Sequence, residues 1–221
     1  MRKVVVGNWK QNKSLAEVEA WVSEFVNLVS ASSVSNVDII VAASFPYLEK
    51  LGELCAAIPN FYVAAQDVSE FEDGRHTGKV SAAQIKDFVK YCIVGHSETG
   101  DSAETSMKKA KMCLTVGITP IFCFVDIENP PAVEKALLVW EDPENISTAK
   151  GGYKPKSAET IAAAVQKLHE SVLYGGSVNR QNASELSNIP ELAGVLPGNA
   201  SLDAKHFFEI VSAFDKSRCN M

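Results

Sequence analysis

Short apolar runs bounded by polar turns alternate along this chain with longer stretches whose apolar residues recur at helical spacing. Lys3 to Gly7 is the first β-rich run, and it leads through Asn8-Trp9-Lys10-Gln11-Asn12 into Ser14-Leu15-Ala16-Glu17. That tetrapeptide is a capping box, in which Ser and Glu satisfy each other's backbone donors at a helix start. Val18, Trp21, Val22, Phe25, Val26 and Val29 then fall on one helical face. Asp38 to Ala42 predicts a second strand, and Phe45-Pro46 turns into a helix through Leu48, Leu51, Leu54 and Cys55. Phe61 to Ala65 predicts the third strand, Ser81-Ala82-Ala83-Gln84 the next helix start, and the run from Tyr91 to Val94 the fourth strand. Asp101-Ser102-Ala103-Glu104 has the form of a helix start with Asp101 as the capping acid and a Glu three residues on. Further strands are predicted at Thr119 to Phe124, Ala136 to Trp140, Ser171 to Tyr174 and Gly194 to Leu196. Helices are predicted from Ser157 through Leu168 and around Phe207, Phe208, Ile210 and Val211.

Strands alternating with helices imply a parallel sheet with crossover helices. The count of eight strands favours an α/β fold of the closed (β/α)8 type over a doubly wound sheet, as one domain over residues 1–221. One connection departs from the pattern. Only Ile127 to Lys135 separates strands five and six, and Pro130-Pro131 leaves room for at most one helical turn. A parallel crossover ordinarily needs a dozen residues and a helix, so this link is much shortened.

Charge and cysteine content narrow the surroundings rather than the fold. The net charge is −6, which argues against nucleic acid as a partner and means that an anionic ligand must be attracted by local groups. The five Cys include no CxxC pair and no disulfide framework, and Cys92 and Cys123 sit in apolar runs as small core residues. No run approaches the roughly 18 apolar residues of a membrane span, and the first residues lack the apolar block of a signal peptide. A cytoplasmic protein with no membrane partner is expected.

Candidate chemistry lies at the predicted strand ends, where α/β proteins build their sites. Val94-Gly95 presents His96, Ser97 and Glu98 in succession, and His96 could be a catalytic acid, a metal ligand or a satisfied core group. Lys10 follows the first strand; it is pinned between strand and helix, which raises a functional reading over that of a solvated charge. Glu141 ends the sixth strand. Asp142 to Gly152 follows it, rich in small residues with Pro at one end and Gly at the other, as expected of a hinged lid. Gln66 to Lys79 is a long polar loop in which His76 is expected to be exposed, and loops of this kind are functional or disordered. His169 and His206 sit at or in helices and are assigned no chemistry. Gly175-Gly176-Ser177 and Gly198-Asn199-Ala200-Ser201 lie after strands seven and eight, where such barrels bind phosphate through backbone N–H groups.

Taken in order, several segments resemble the triosephosphate isomerase family: Gly7-Asn8-Trp9-Lys10, Ala65-Gln66, Thr77-Gly78, Val94-Gly95-His96-Ser97-Glu98, Trp140-Glu141-Asp142-Pro143-Glu144 and Leu173-Tyr174-Gly175-Gly176-Ser177-Val178. The short length and the start of the lid resemble its compact, archaeal-like branch. The resemblance implies a TIM barrel and a glycolytic isomerase that interconverts dihydroxyacetone phosphate and glyceraldehyde 3-phosphate. It implies Glu141 as the base that moves a proton between two carbons and His96 as the neutral electrophile, the pairing for which this family is itself the standard example. It further implies Lys10, helped by Asn8, as the cation that binds the substrate and its enediolate, and Glu98 as a buried acid contacting Lys10. Backbone groups at Ser147, Gly176, Ser177, Gly198 and Asn199 are the expected phosphate donors; Gly is usual at position 199, and Asn is among the residues that best tolerate the left-handed angles Gly can take. No metal or cofactor is required, because Lys10 and His96 hold the oxyanion. The partners expected are the small phosphorylated triose and further copies of the chain: a homodimer in which loop 66–79 docks, with Thr77 near the Asn8 and His96 of a second copy, and a homotetramer left open. The lid (Ile146-Ser147-Thr148-Ala149), Gly198-Asn199, Thr99-Gly100 and Gln11 depart from the usual family pattern. Two other readings remain: a phosphate-binding barrel with weak or lost catalysis that acts in regulation, and a metal-dependent sugar-phosphate isomerase or epimerase.

Overall fold

The computed structural model describes residues 2–142, 156–168 and 171–216. The lid predicted after Asp142, including Ser147, and His169 lie outside the described residues.

Parallel strands close into a barrel in sequence order. They are β1 (Lys3–Asn8), β2 (Val37–Ala43), β3 (Phe61–Ala65), β4 (Tyr91–Val94), β5 (Thr119–Phe124), β6 (Leu137–Trp140), β7 (Val172–Tyr174) and β8 (Leu192–Val195). The helices are α1 (Leu15–Ser30), α2 (Leu48–Cys55), α3 (Ala82–Ile85), α4 (Ala103–Thr115), α5 (Ala158–Val165), α6 (Ala183–Ser187) and α7 (Ala204–Lys216). β1 pairs with β2 from Lys3↔Val37 to Asn8↔Ala42 and closes the barrel on β8 at Val4↔Gly194.

The strands read as unbroken apolar runs because both of their faces are buried. Val4, Val6, Ile40, Ala42, Ala64, Ile93, Ile121, Cys123, Val139 and Leu173 fill the barrel interior. Their alternates, such as Val5, Ile39, Val41, Cys92 and Phe122, pack outward with Trp21, Phe25, Phe207 and Ile210 of the helices. The largest aromatic cluster lies here, with Trp21 stacked on Phe25 at 4.7 Å between ring centroids and Phe25 5.6 Å from Phe207.

The link between β5 and β6 has no helix. Residues 125–136 form turns, one of them closed by the Asp126 carboxylate, which accepts the Glu128 N–H at 3.0 Å and the Asn129 side chain at 2.8 Å. Ile127, Val133 and Ala136 pack on the outer core where a helix would otherwise lie.

One local expectation is corrected, and two features go beyond the sequence reading. Asp101 does not cap α4; Ser102 does, its hydroxyl accepting the Thr105 N–H. Asp101 is drawn instead to the Lys109 ammonium at 2.7 Å, a stronger partner than a backbone amide. α6 was not foreseen, because its five residues are too few to display a helical period. Asn199 opens a 3-10 turn, Asn199–Ser201, and is absent from the non-glycine residues with positive φ, which are Lys10, Lys13, Asn60 and Lys135. Among the described residues no helix is long and apolar enough to cross a membrane.

Candidate active site

Every sequence-predicted site residue that the structure describes lies at the carboxyl end of its strand or in the loop just beyond. β1 delivers Asn8 and, two residues on, Lys10. Lys10 takes a left-handed backbone angle, φ 51°. For a residue with a Cβ that conformation is costly and persists only when its surroundings hold it. Here the Asn8 side-chain oxygen accepts the Lys10 N–H at 3.0 Å, and the Gln66 amide donates to the Lys10 carbonyl at 2.9 Å. The same Gln66 amide reaches the Ala42 carbonyl at 2.9 Å, so β1, β2 and β3 are tied together under the lysine. The Lys10 ammonium then meets Glu98 Oε1 at 2.5 Å. The contact exists, but the expected burial of Glu98 does not: its side chain is 51% exposed. The 3-10 turn Ser97–Thr99 carries it outward at the rim.

His96 follows Gly95, whose φ of +72° and close approach to Ser106 Oγ and the Cys123 carbonyl leave no room for a side chain. The histidine caps the Ser97–Thr99 turn: the Glu98 N–H donates to His96 Nδ1 at 3.1 Å. That bond leaves Nε2 to carry the proton of a neutral ring. Burial holds the imidazole below its ordinary pKa, and the Lys10 charge pushes the same way, against the pull of Glu141 and Glu98. The structure therefore favours a neutral His96 with Nε2–H facing Glu141 Oε1 at 3.3 Å.

Glu141 follows β6 and is 2% exposed. Its carboxylate accepts the Ser97 N–H at 2.8 Å and the Ser97 hydroxyl at 3.0 Å, and its own N–H donates to the Phe124 carbonyl at 2.8 Å. Lysine, imidazole and carboxylate from three strand ends are thus linked through the Ser97–Thr99 turn. Ser97 and Gln66 were quoted in the motifs but given no task; their positions beside His96 and at the end of β3 were the available signals.

The two glycine loops are set by tyrosine and tryptophan packing. A Cβ on Gly176 would overlap the Tyr174 hydroxyl, so only glycine fits there. Burial and the neighbouring Asp142 push the Tyr174 phenol above its ordinary pKa of 10. After β8, the Trp9 and Trp21 indoles donate to the Ser201 carbonyl at 3.2 Å and 3.0 Å, and Lys13 donates to the Leu202 carbonyl at 2.7 Å. The Asn8 N–H bonds the Pro197 carbonyl at 2.9 Å. These contacts bring Gly198 beside Lys10: a Cβ on Gly198 would lie 3.8 Å from the ammonium nitrogen.

A family model described as triosephosphate isomerase matches residues 3–135 and 128–214. Curated relatives carry the same name. The triosephosphate isomerase of Paracidovorax citrulli is 32% identical over 248 residues, covering 96% of this chain and 98% of that protein. Those of Thermus thermophilus (32% over 251 residues, 96% and 98%) and Colwellia psychrerythraea (34% over 250 residues, 95% and 96%) align as fully.

Proposed function

The chain belongs to the triosephosphate isomerase family, and from that premise we propose that it interconverts dihydroxyacetone phosphate and glyceraldehyde 3-phosphate by proton transfer through an enediolate. The observation that carries this reading is the convergence of Glu141, a neutral His96 and Lys10 at one end of the barrel. Carbon-acid isomerisation needs a base for the carbon-bound proton, a donor for the carbonyl oxygen and positive charge for the oxyanion. Glu141 serves as the base. His96 donates from Nε2 to the oxygen that becomes the enediolate, and being neutral it can pass a proton between the two oxygens. Lys10 answers the negative charge of phosphate and oxyanion with Asn8 beside it, and Glu98 holds the lysine head when substrate is absent. Backbone groups of Gly176, Ser177, Gly198 and Asn199 are proposed to bind the phosphate; Ser147, expected as a further donor, lies outside the described residues. No step calls for a metal or cofactor.

Glu141 is engaged by Ser97 and His96, so substrate must replace part of that engagement before the carboxylate can reach carbon. Purified protein should convert glyceraldehyde 3-phosphate with equal rates with and without a chelator. Tight binding of triose phosphate without turnover would favour a regulatory barrel, and loss of activity with chelator a metal-dependent isomerase.

We also infer a homodimer built on loop 66–79. The loop is tied down by its own contacts: Ser69 N–H to the Val80 carbonyl at 2.8 Å, Ser81 to Asp73, and Phe71 stacked on His76 with centroids 4.1 Å apart. Thr77 stays exposed, and in the proposed dimer it docks near a second copy's Asn8 and His96. The helix-free link between β5 and β6, where Val125 is 42% exposed, is the surface on which we leave a tetramer open. Sedimentation at micromolar concentration tests both, and a monomer would contradict them.

A further inference from the structure

The residue after Glu141 brings a second carboxylate into the protein. Asp142 has a fully buried side chain, and the Lys156 ammonium lies 2.9 Å from Oδ2 and 3.0 Å from Oδ1. The Tyr174 hydroxyl reaches Oδ2 at 3.5 Å, and the same hydroxyl packs on Gly176 of the strand-seven loop. Lys156 also sits 5.8 Å from the Trp140 ring centroid, and the Trp140 and Tyr174 rings are 5.7 Å apart. One cluster thus joins the end of β6, the approach to α5, the end of β7 and a candidate phosphate loop.

A buried ion pair is poor evidence of stabilisation, since a well-packed apolar pair often does as well. Its value lies in direction: both carboxylate oxygens and the ammonium must be satisfied at once. Glu141 is anchored on one side by its N–H to Phe124. On the other side its backbone is fixed by Asp142.

We propose that Asp142 and Lys156 act as a positioning pair for Glu141, with Tyr174 carrying the same constraint to the Gly176 loop. Removing the lysine takes the ammonium away from both oxygens of a buried carboxylate, and that group then shifts toward water and drags its neighbour with it. A displacement of about 1 Å at a reacting group costs on the order of 100-fold in rate. The proposal rests on Glu141 being the base.

The test uses the full chain with glyceraldehyde 3-phosphate and thermal melts. Lys156→Met should lower kcat by about tenfold or more with KM changed by less than about twofold. Lys156→Arg should restore most of kcat, and adding Asp142→Asn to Lys156→Met should bring kcat back only to the level of Asp142→Asn alone, since the buried charge is gone and the pair with it. Asp142→Asn alone keeps the shape and covers a Lys156→Met protein that fails to fold; it should lose kcat several-fold at unchanged KM. Variants that melt earlier but keep wild-type kcat would overturn the proposal and leave the pair merely structural. Glu141→Gln is measured alongside: retained turnover there would sink the base assignment itself, whatever the lysine variants do.

Discussion

An ion pair, Lys10–Glu98, and an ion triad, Asp67–Lys109–Asp101, flank the candidate site and differ in kind. Lys10–Glu98 is short, 2.5 Å, but its side chains are 22% and 51% exposed. Lys109, 5% exposed, instead lies between Asp67 and Asp101, at 2.7 Å from each. An exposed pair of the first kind contributes about 0–1 kcal/mol and weakens with salt. Breaking the buried half of the second, Lys109–Asp101, whose side chains are 5% and 12% exposed, costs about 3–5 kcal/mol because it strands the Asp101 charge, whereas Asp67, 40% exposed, keeps its water. The weak pair is the one whose cation can be transferred to a substrate. The strong one fixes the loops after β3 and β4, and through the Thr99 hydroxyl, which lies 2.9 Å from Asp101 and 2.8 Å from the His96 carbonyl, it backs the histidine turn.

The predictions press on that division of labour. Glu141→Gln should have the largest effect, a fall in turnover of about 1000-fold or more at nearly unchanged triose phosphate binding, read by steady-state kinetics and calorimetry. Lys10→Met should follow, losing roughly 100-fold in turnover and weakening an anionic inhibitor, while the melting temperature barely moves. If inhibitor affinity ignores both the mutation and added salt, Lys10 is only a surface charge. Lys109→Met should do the reverse: a stability loss of about 3 kcal/mol in urea unfolding, with triose phosphate still bound by the folded fraction.

A smaller effect is expected from pH. His96 is held below its ordinary 6.5 by burial first, so the unfolded chain takes up this proton at a higher pH than the folded one. Its contribution to stability is complete above pH 6.5 and is lost as pH falls below that value. His96→Gln should flatten that part of the stability–pH curve, and an unchanged slope would mean the imidazole is not held neutral. Smallest of all is Asn199→Gly, at less than about 1 kcal/mol in inhibitor affinity, since the turn already has ordinary angles there. Asn199→Pro, which fixes φ and deletes the N–H, should cost far more.

What could be read beforehand follows from range. The barrel was legible because apolar period and caps are local signals: Ser14 and Ser81 form the capping boxes their neighbours announce. The residues at the strand ends were legible for the same reason, since Asn8, Lys10, His96 and Glu141 each follow an apolar run. What stayed hidden depends on contacts between distant segments. Gln66 beneath Lys10, 56 residues away, and Ser97 on Glu141, 44 residues away, cannot be inferred from spacing. The exposure of Glu98 was misjudged because a one-residue change of direction in a 3-10 turn decides it. Asp101 looked like a cap only because Lys109, eight residues on, was not counted as its competitor.

Glu141, as the proposed base, takes up the carbon-bound hydrogen of the substrate as a proton. The most direct measurement is isomerisation of glyceraldehyde 3-phosphate by the wild-type protein in deuterated water, with the product analysed by NMR. A carboxylic acid exchanges its proton with solvent, so the account predicts carbon-bound deuterium in a fraction of the dihydroxyacetone phosphate formed. A product that carries the original hydrogen in every molecule would contradict it.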